Sequence, residues 1–134
     1  MQIEDCKFIE FKSILDDRGT IVIFEPNNEF NFEHKRTFYI YGVPDGCERG
    51  GHALRDCQQI MIPISGSFRV KINTAHKSKT FVLDDPLKGL YLPPLIWREM
   101  FDFSSNAICL VLASTTFDEE EYIRNFSDFK DLVS

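Results

Sequence analysis

The feature that most constrains this chain is the even spacing of its turn signals. DDRG, PDG, ISGS, DDP, LPP and FSSN recur along the sequence, and between them lie short runs rich in β-branched and aromatic residues: CKFIEFKSI, TIVIFE, KRTFYIYGV, QQIMIPISGSFRVKI, KTFVL, LKGLYLPP and NAICLVLAS. Gly, Pro and Asp at the breaks set tight connections, and β-branched and aromatic side chains fit a half-buried pleated surface. The spacing predicts antiparallel strands joined by short turns, as in a sandwich or jelly-roll barrel, whose closure removes sheet edges. CKFIEFKSI and TIVIFE, joined through DDRG, read as an opening hairpin.

Only the C-terminus changes period. Asp118 is placed to cap a helix with Glu119, Glu120 and Glu121 in its first turn, and Tyr122, Phe126 and Phe129 follow at about one helical turn, with a break near Ser127. The fold class expected is therefore all-β with a short C-terminal helix. With 134 residues, no repeat and no linker, residues 1–134 read as one domain, long enough to bury roughly two thirds of its unfolded surface.

Net charge is −6 and the Lys and Arg residues are scattered, which argues against nucleic acid as a partner. A nucleotide diphosphate is a different matter, because two or three Arg side chains in a cleft suffice to hold it. The start MQIEDCKF is acidic where a signal peptide is basic, and no apolar run reaches the length of a membrane span, so a cytoplasmic protein is expected. Cys6, Cys47, Cys57 and Cys109 show no CxxC pairing and read as reduced, with Cys109 in the core. His34 and His76 sit in polar stretches and read as exposed.

The chemistry-bearing stretch is Arg49-Gly50-Gly51-His52-Ala53-Leu54-Arg55, running into Gln58 and Gln59. On a strand His52 and Leu54 share one face, and so does Gln58 if no bulge intervenes. One His with amides and a Leu is a poor donor set for zinc or iron, so neither a metal nor another cofactor is expected. His52 has two readings: a partly buried imidazole satisfied by neighbours, or an acid/base group on an interior face. Arg49 beside it, and Gly50 and Gly51, which let a backbone or ligand approach closely, favour the second.

The ordered motifs RGGHAL, QQ, SGSFRV, LDDPLKGLYLPPLIWREMFDFSSNAICLVLAS and FDEEEYIRNFSDF resemble the bacterial nucleotide-sugar 3,4-ketoisomerases, WxcM-like cupins. The likeness runs from about Phe8 to Phe129. It implies a cupin jelly roll, a homodimer, no metal, and a thymidine-diphosphate-linked 4-keto-6-deoxyglucose as substrate. It implies also that the ketone moves from C4 to C3 through an enediol, with His52 as base, and that a separate enzyme aminates the product for surface polysaccharides such as O-antigen. On the same resemblance Arg18, Arg36 and Arg49 are candidates to clamp the diphosphate, and Gln59 matches a family glutamine directed at the ligand.

Two positions depart from the family. Members commonly read His-Ala-His where this chain has His52-Ala53-Leu54, so a second imidazole that would relay or reorient a proton is missing. Some members read Trp-His-Glu where this chain has Trp97-Arg98-Glu99. Arg98 resembles one stereochemical subset and Arg18 the other. Arg98 is expected to stabilise the enediolate oxygen and Tyr39 to donate a proton, while Trp97 either stacks on the ligand or belongs to the core. A catalytically weak cupin that binds a nucleotide sugar, and a keto-sugar epimerase, fit the same residues.

Overall fold

The computed structural model describes residues 2–27 and 30–134. Strands β1 (Lys7–Glu10), β2 (Lys12–Asp16), β3 (Gly19–Ile23), β4 (Arg36–Tyr41), β5 (Arg49–Leu54) and β6 (Gln59–Ser65) form the first half. Strands β7 (Phe68–Asn73), β8 (Ser78–Leu83), β9 (Lys88–Leu92), β10 (Trp97–Phe101), β11 (Ile108–Ala113) and β12 (Tyr122–Ile123) follow, and helix α1 (Phe126–Val133) ends the chain.

Two five-stranded sheets, ordered β1-β9-β6-β11-β4 and β12-β5-β10-β7-β8, pack face to face in the jelly-roll manner. All the pairings are antiparallel, so alternate residues of each strand turn inward. Met61, Leu90, Leu92, Cys109 and Val111 from the first sheet meet Phe68, Val70, Ile72, Phe81, Leu83 and Met100 from the second in one core. A second apolar layer, built on Phe11, Phe30, Phe32, Ile60 and Ile62, covers the outside of the first sheet. The central strand β6 is thus buried on both faces along most of its length.

Three expectations are corrected. Hydrogen bonding does not run continuously around a barrel: β1, β4, β8 and β12 remain sheet edges. The DDRG hairpin forms, but from β2 and β3 as a separate two-stranded sheet, while β1 pairs with β9 across the bend at Phe11. Asp118 caps only a single 3-10 turn, accepting from Glu120 N. Tyr122 and Ile123 then pair with β5, and Asn125 caps the true helix by accepting from Asp128 N. Cross-strand pairing overrides the helical spacing of Tyr122 and Phe126, because it satisfies the backbone of β5 at an otherwise open edge.

Helix α1 lays Phe129 against Trp97, Ala53 and Ile123 on the outer face of the second sheet. All four cysteines are free, and Cys109 is buried as read from the sequence. His76 is exposed, but His34 is half-buried.

Candidate active site

A cleft of about 460 Å3 is lined from both sheets. Phe38, Met61, Met100 and Val111 make its apolar wall, and the polar groups are Tyr39, Glu48, Arg49, His52, Gln59, Arg98, Tyr122 and Arg124. A neighbouring groove of about 450 Å3 shares Tyr39, Ile40, Glu48 and Arg49 with it and continues along Tyr41, Val43 and Pro44.

His52 on β5 is the direct cross-strand partner of Arg98 on β10, which sets the two side chains side by side on the cleft face. A bulge in β5 produces this alignment. Arg98 and Glu99 are consecutive, yet they pair with His52 and Gly50, leaving Gly51 as the extra residue. Gly50 and Gly51 take φ of +85° and +75°, and a Cβ on Gly50 would stand 3.0 Å from the Arg98 carbonyl oxygen. Glycine is required at Gly50 by both its backbone angle and the approach of β10.

Burial pushes the His52 imidazole down from its ordinary 6.5 to about 4, and the Arg98 charge adds to the depression, while a backbone contact with Gly50 opposes it. The ring is therefore neutral near pH 7 and able to accept a proton. Its Nδ1 is buried with no hydrogen-bond partner among the described residues.

Arg98 is fully buried, the largest such side chain among the described residues. Its Nη1 donates to Gln59 Oε1 at 2.7 Å, and Nε and Nη2 donate to the Ile96 carbonyl at 3.3 and 3.2 Å. These acceptors are neutral. Burial lowers the guanidinium pKa to about 10, opposed by Cys57, Cys6 and Tyr122, so Arg98 stays cationic at neutral pH. A buried charge without a charged partner carries a desolvation penalty of several kcal/mol, which an incoming anion relieves. Gln59, itself buried, directs the guanidinium by that single short bond.

The remaining residues singled out from the sequence are placed unequally. Arg49 is exposed at the junction of cleft and groove. Tyr39 reaches the cleft mouth but is 62% exposed on edge strand β4, while Phe38 and Ile40 occupy the inward positions. Arg36 points inward without lining the cleft: Nη1 donates to the Tyr122 hydroxyl at 3.3 Å, and the guanidinium lies over the Phe38 and Phe117 rings. Arg18 lies at the β2–β3 turn, paired with Asp16 at 2.9 Å, outside the cleft of its own chain. Trp97 faces away from Arg98 and packs edge-on against Phe126 beneath α1, which corrects the stacking role to a core one. Gln58 lies beyond the end of β5 and accepts from the Tyr91 hydroxyl at 2.6 Å. Leu54 is fully buried with Cys57 and Ala113 and lines neither cavity.

Tyr122 and Arg124 were not singled out as site residues. Their only sequence signal is position beyond an acid run, and the short strand β12 is what delivers them to the cleft. The Tyr122 ring stands edge-on to His52 with centroids 4.8 Å apart, and the Arg124 guanidinium lies 4.6 Å over that ring while holding Glu119 at 2.7 and 3.1 Å.

Among the described residues no group of three or more His, Cys, Asp and Glu side chains stands close enough to hold a metal ion. What the cleft presents instead is a neutral base beside a fixed cation.

Comparison with known proteins agrees in fold and sequence. Residues 4–134 match the family described as FdtA: WxcM-like, C-terminal. A TDP-4-oxo-6-deoxy-alpha-D-glucose-3,4-oxoisomerase of Aneurinibacillus thermoaerophilus is 39% identical over 128 residues, covering 96% of this chain and 92% of the relative. The 3,4-ketoisomerase QdtA of Thermoanaerobacterium thermosaccharolyticum, solved as a His-to-Asn variant in complex with TDP-4-keto-6-deoxyglucose, is 36% identical. It superposes with a TM-score of 0.94 over 98% of this chain and 96% of its own. A 3,4-ketoisomerase from Helicobacter canadensis is 37% identical with a TM-score of 0.92, covering 96% of this chain and 97% of that one. With a family match across nearly its whole length and relatives of this identity, the chain belongs to the FdtA, WxcM-like family.

Proposed function

We propose that this chain is a sugar 3,4-ketoisomerase that converts TDP-4-keto-6-deoxyglucose into a TDP-3-keto-6-deoxyhexose. The observation that carries the reading is the direct pairing of His52, held neutral, with Arg98, a buried cation whose partners are neutral.

The chemistry follows from that pair. His52 removes the proton from C3, the electron pair enters the C3–C4 bond, and charge collects on the C4 oxygen beside Arg98 as an enediolate. The imidazolium returns its proton to C4, and the C3 hydroxyl proton passes to the C4 oxygen as the C3 ketone forms. Atoms and electrons balance with no external oxidant, and the depressed basicity of His52 makes its conjugate acid a ready donor for the second half. The 3-ketone formed is an electrophile suited to a following amination.

Arg49 and Arg124 at the rim are the charges that fit a diphosphate, and the groove beyond Arg49, walled by the Tyr39 and Tyr41 rings, fits a base. Tyr39 is retained as a group at the mouth of the cleft. The working unit is one jelly-roll domain in a homodimer. The two-stranded β2–β3 hairpin supports dimerisation, since it leaves Ile14, Leu15 and Ile21 at 49%, 76% and 61% exposure and isolated hairpins are marginal in water. A second copy covering that face is also the route by which Arg18 reaches a ligand. Among the described residues no helix is long and apolar enough to cross a membrane, and the free cysteines suit a reducing cytoplasm.

Proton NMR of the protein with TDP-4-keto-6-deoxyglucose in deuterium oxide tests the reading. A 3-keto sugar carrying deuterium at C4 establishes it and gives the C4 configuration. Exchange beside the ketone without its migration identifies an epimerase, and tight binding with unchanged substrate identifies a carrier.

A further inference from the structure

A catalytic imidazole must be held in one orientation, and an acceptor on its second nitrogen ordinarily does this. His52 has no such bond: Nδ1 is buried and unpartnered among the described residues. Leu54, next on the same strand face, offers no polar atom and is packed away with Cys57 and Ala113. Beyond a backbone contact with Gly50, the ring is oriented by packing.

We infer that Tyr122, locked by Arg36, is the positioning residue for His52. Tyr122 pairs across β12 and β5 with Leu54 and lies edge-on to the imidazole at 4.8 Å between centroids. Such an edge contact favours one ring orientation over its alternatives. The tyrosine is itself held at both ends. Arg36 Nη1 donates to its hydroxyl at 3.3 Å, and the Arg124 guanidinium covers its ring at 4.6 Å. Phe117 closes a further side, with ring centroids 5.8 Å apart.

Arg36 is equally committed. It is clasped between the Phe38 and Phe117 rings, its Nη2 lies 4.0 Å from Cys57 Sγ, and its Nε is buried without a partner among the described residues. The chain Arg36, Tyr122, His52 thus runs from edge strand β4 across the cleft wall to β5, and it places next to the base a bulky group that Leu54 does not supply. Tyr122 also completes the shell that keeps water from the imidazole. The charged and titratable groups facing that imidazole are Arg98 from β10 and Arg124 and Glu119 from the C-terminal segment, with Tyr122 itself.

The kinetic consequence rests on the proposed isomerase activity, but the structural one does not, so the test has two readouts. In the free protein, NMR titration of the His52 imidazole should move upward from about 4 toward its ordinary value in Tyr122→Leu. Tyr122→Phe, which keeps the ring but loses the bond from Arg36, should shift only partway toward Tyr122→Leu and serves as the folded control. In turnover of TDP-4-keto-6-deoxyglucose, Tyr122→Leu should lose about 10- to 100-fold in kcat with KM changed less than about threefold, the scale expected when a base is displaced by about 1 Å. Arg36→Met, which removes the same bond, should track Tyr122→Phe. An unmoved His52 titration in a folded Tyr122→Leu protein overturns the inference, as does wild-type kcat in that variant. Absence of any turnover by the wild-type protein overturns the isomerase reading alone and leaves the titration to decide the role of Tyr122.

Discussion

The depressed basicity of His52 can be measured as a stability effect without any substrate. A histidine that titrates at 6.5 when unfolded and at about 4 when folded binds its proton first in the unfolded state as pH falls. Native stability is therefore fully present above about pH 6.5 and is lost progressively down to pH 4. The total follows from the shift: at 1.36 kcal/mol per unit, about 3 kcal/mol disappears across that window, and about 2 kcal/mol of it is gone by pH 5. For a domain of this size 1 kcal/mol moves Tm by roughly 3–6 °C, so the share at pH 5 is about 6–12 °C. The perturbation is His52→Asn, which keeps a polar side chain and deletes the titration. Thermal unfolding of both chains from pH 8 to pH 4.5 gives two curves, and their difference isolates His52, because every other side chain is common to both. The wild-type curve should fall away from the variant's below about pH 6.5. Parallel curves would refute the argument, since an imidazole of ordinary basicity contributes no difference. In turnover, the same variant should lose about 100- to 10,000-fold in kcat while still binding TDP, the range removed with a general base.

Other perturbations read different parts of the site. Arg98→Met should abolish at least about 99% of kcat/KM yet raise Tm by the equivalent of about 1 kcal/mol or more, because it replaces a buried cation that lacks a charged partner; calorimetry beside the NMR assay checks both halves. Gly50→Ala forces an L side chain to φ +85° against the Arg98 carbonyl, costing about 1–2 kcal/mol from the backbone alone and more from displacing β10; denaturant unfolding reads this, with kcat falling as Arg98 moves. Arg124→Ala should weaken TDP binding by about tenfold in calorimetric titration, the worth of one charge-assisted contact. On the proposed homodimer, Leu15→Glu places a charge on the hairpin's exposed apolar face and should shift sedimentation from dimer toward monomer.

The sheets were legible in the sequence wherever one face is wet. FRVKIN alternates buried and exposed along β7, and RTFYIY does so along β4, so period two could be read off directly. The same alternation places Tyr39 one residue from the inward Phe38 and Ile40, at the mouth of the cleft. Strand β6 carried no alternation because both its faces are covered, and it was found by its β-branched run and its turns instead. The double glycine has a backbone reason: it makes the bulge that sets His52 opposite Arg98. Tyr122 was missed because Asp118, three glutamates and a four-residue aromatic spacing satisfy every local signal for a helix, and only the open edge of β5, far away in sequence, decides otherwise.

Burial is the main reason His52 stays neutral, and the field of the Arg98 guanidinium, which stays charged at neutral pH, adds to it. Were the two placed farther apart, His52 would be a stronger base, but the enediolate formed at C4 would lose its counter-charge. A bound enediolate reverses the balance: its negative charge offsets the Arg98 field at the imidazole and raises the proton affinity of His52 at the moment it must hold the proton. The free protein thus keeps the base deprotonated, and the intermediate itself supplies the basicity the base lacks. On the proposed mechanism that arrangement requires no second imidazole, so Leu54 in that position is compatible with moving the ketone.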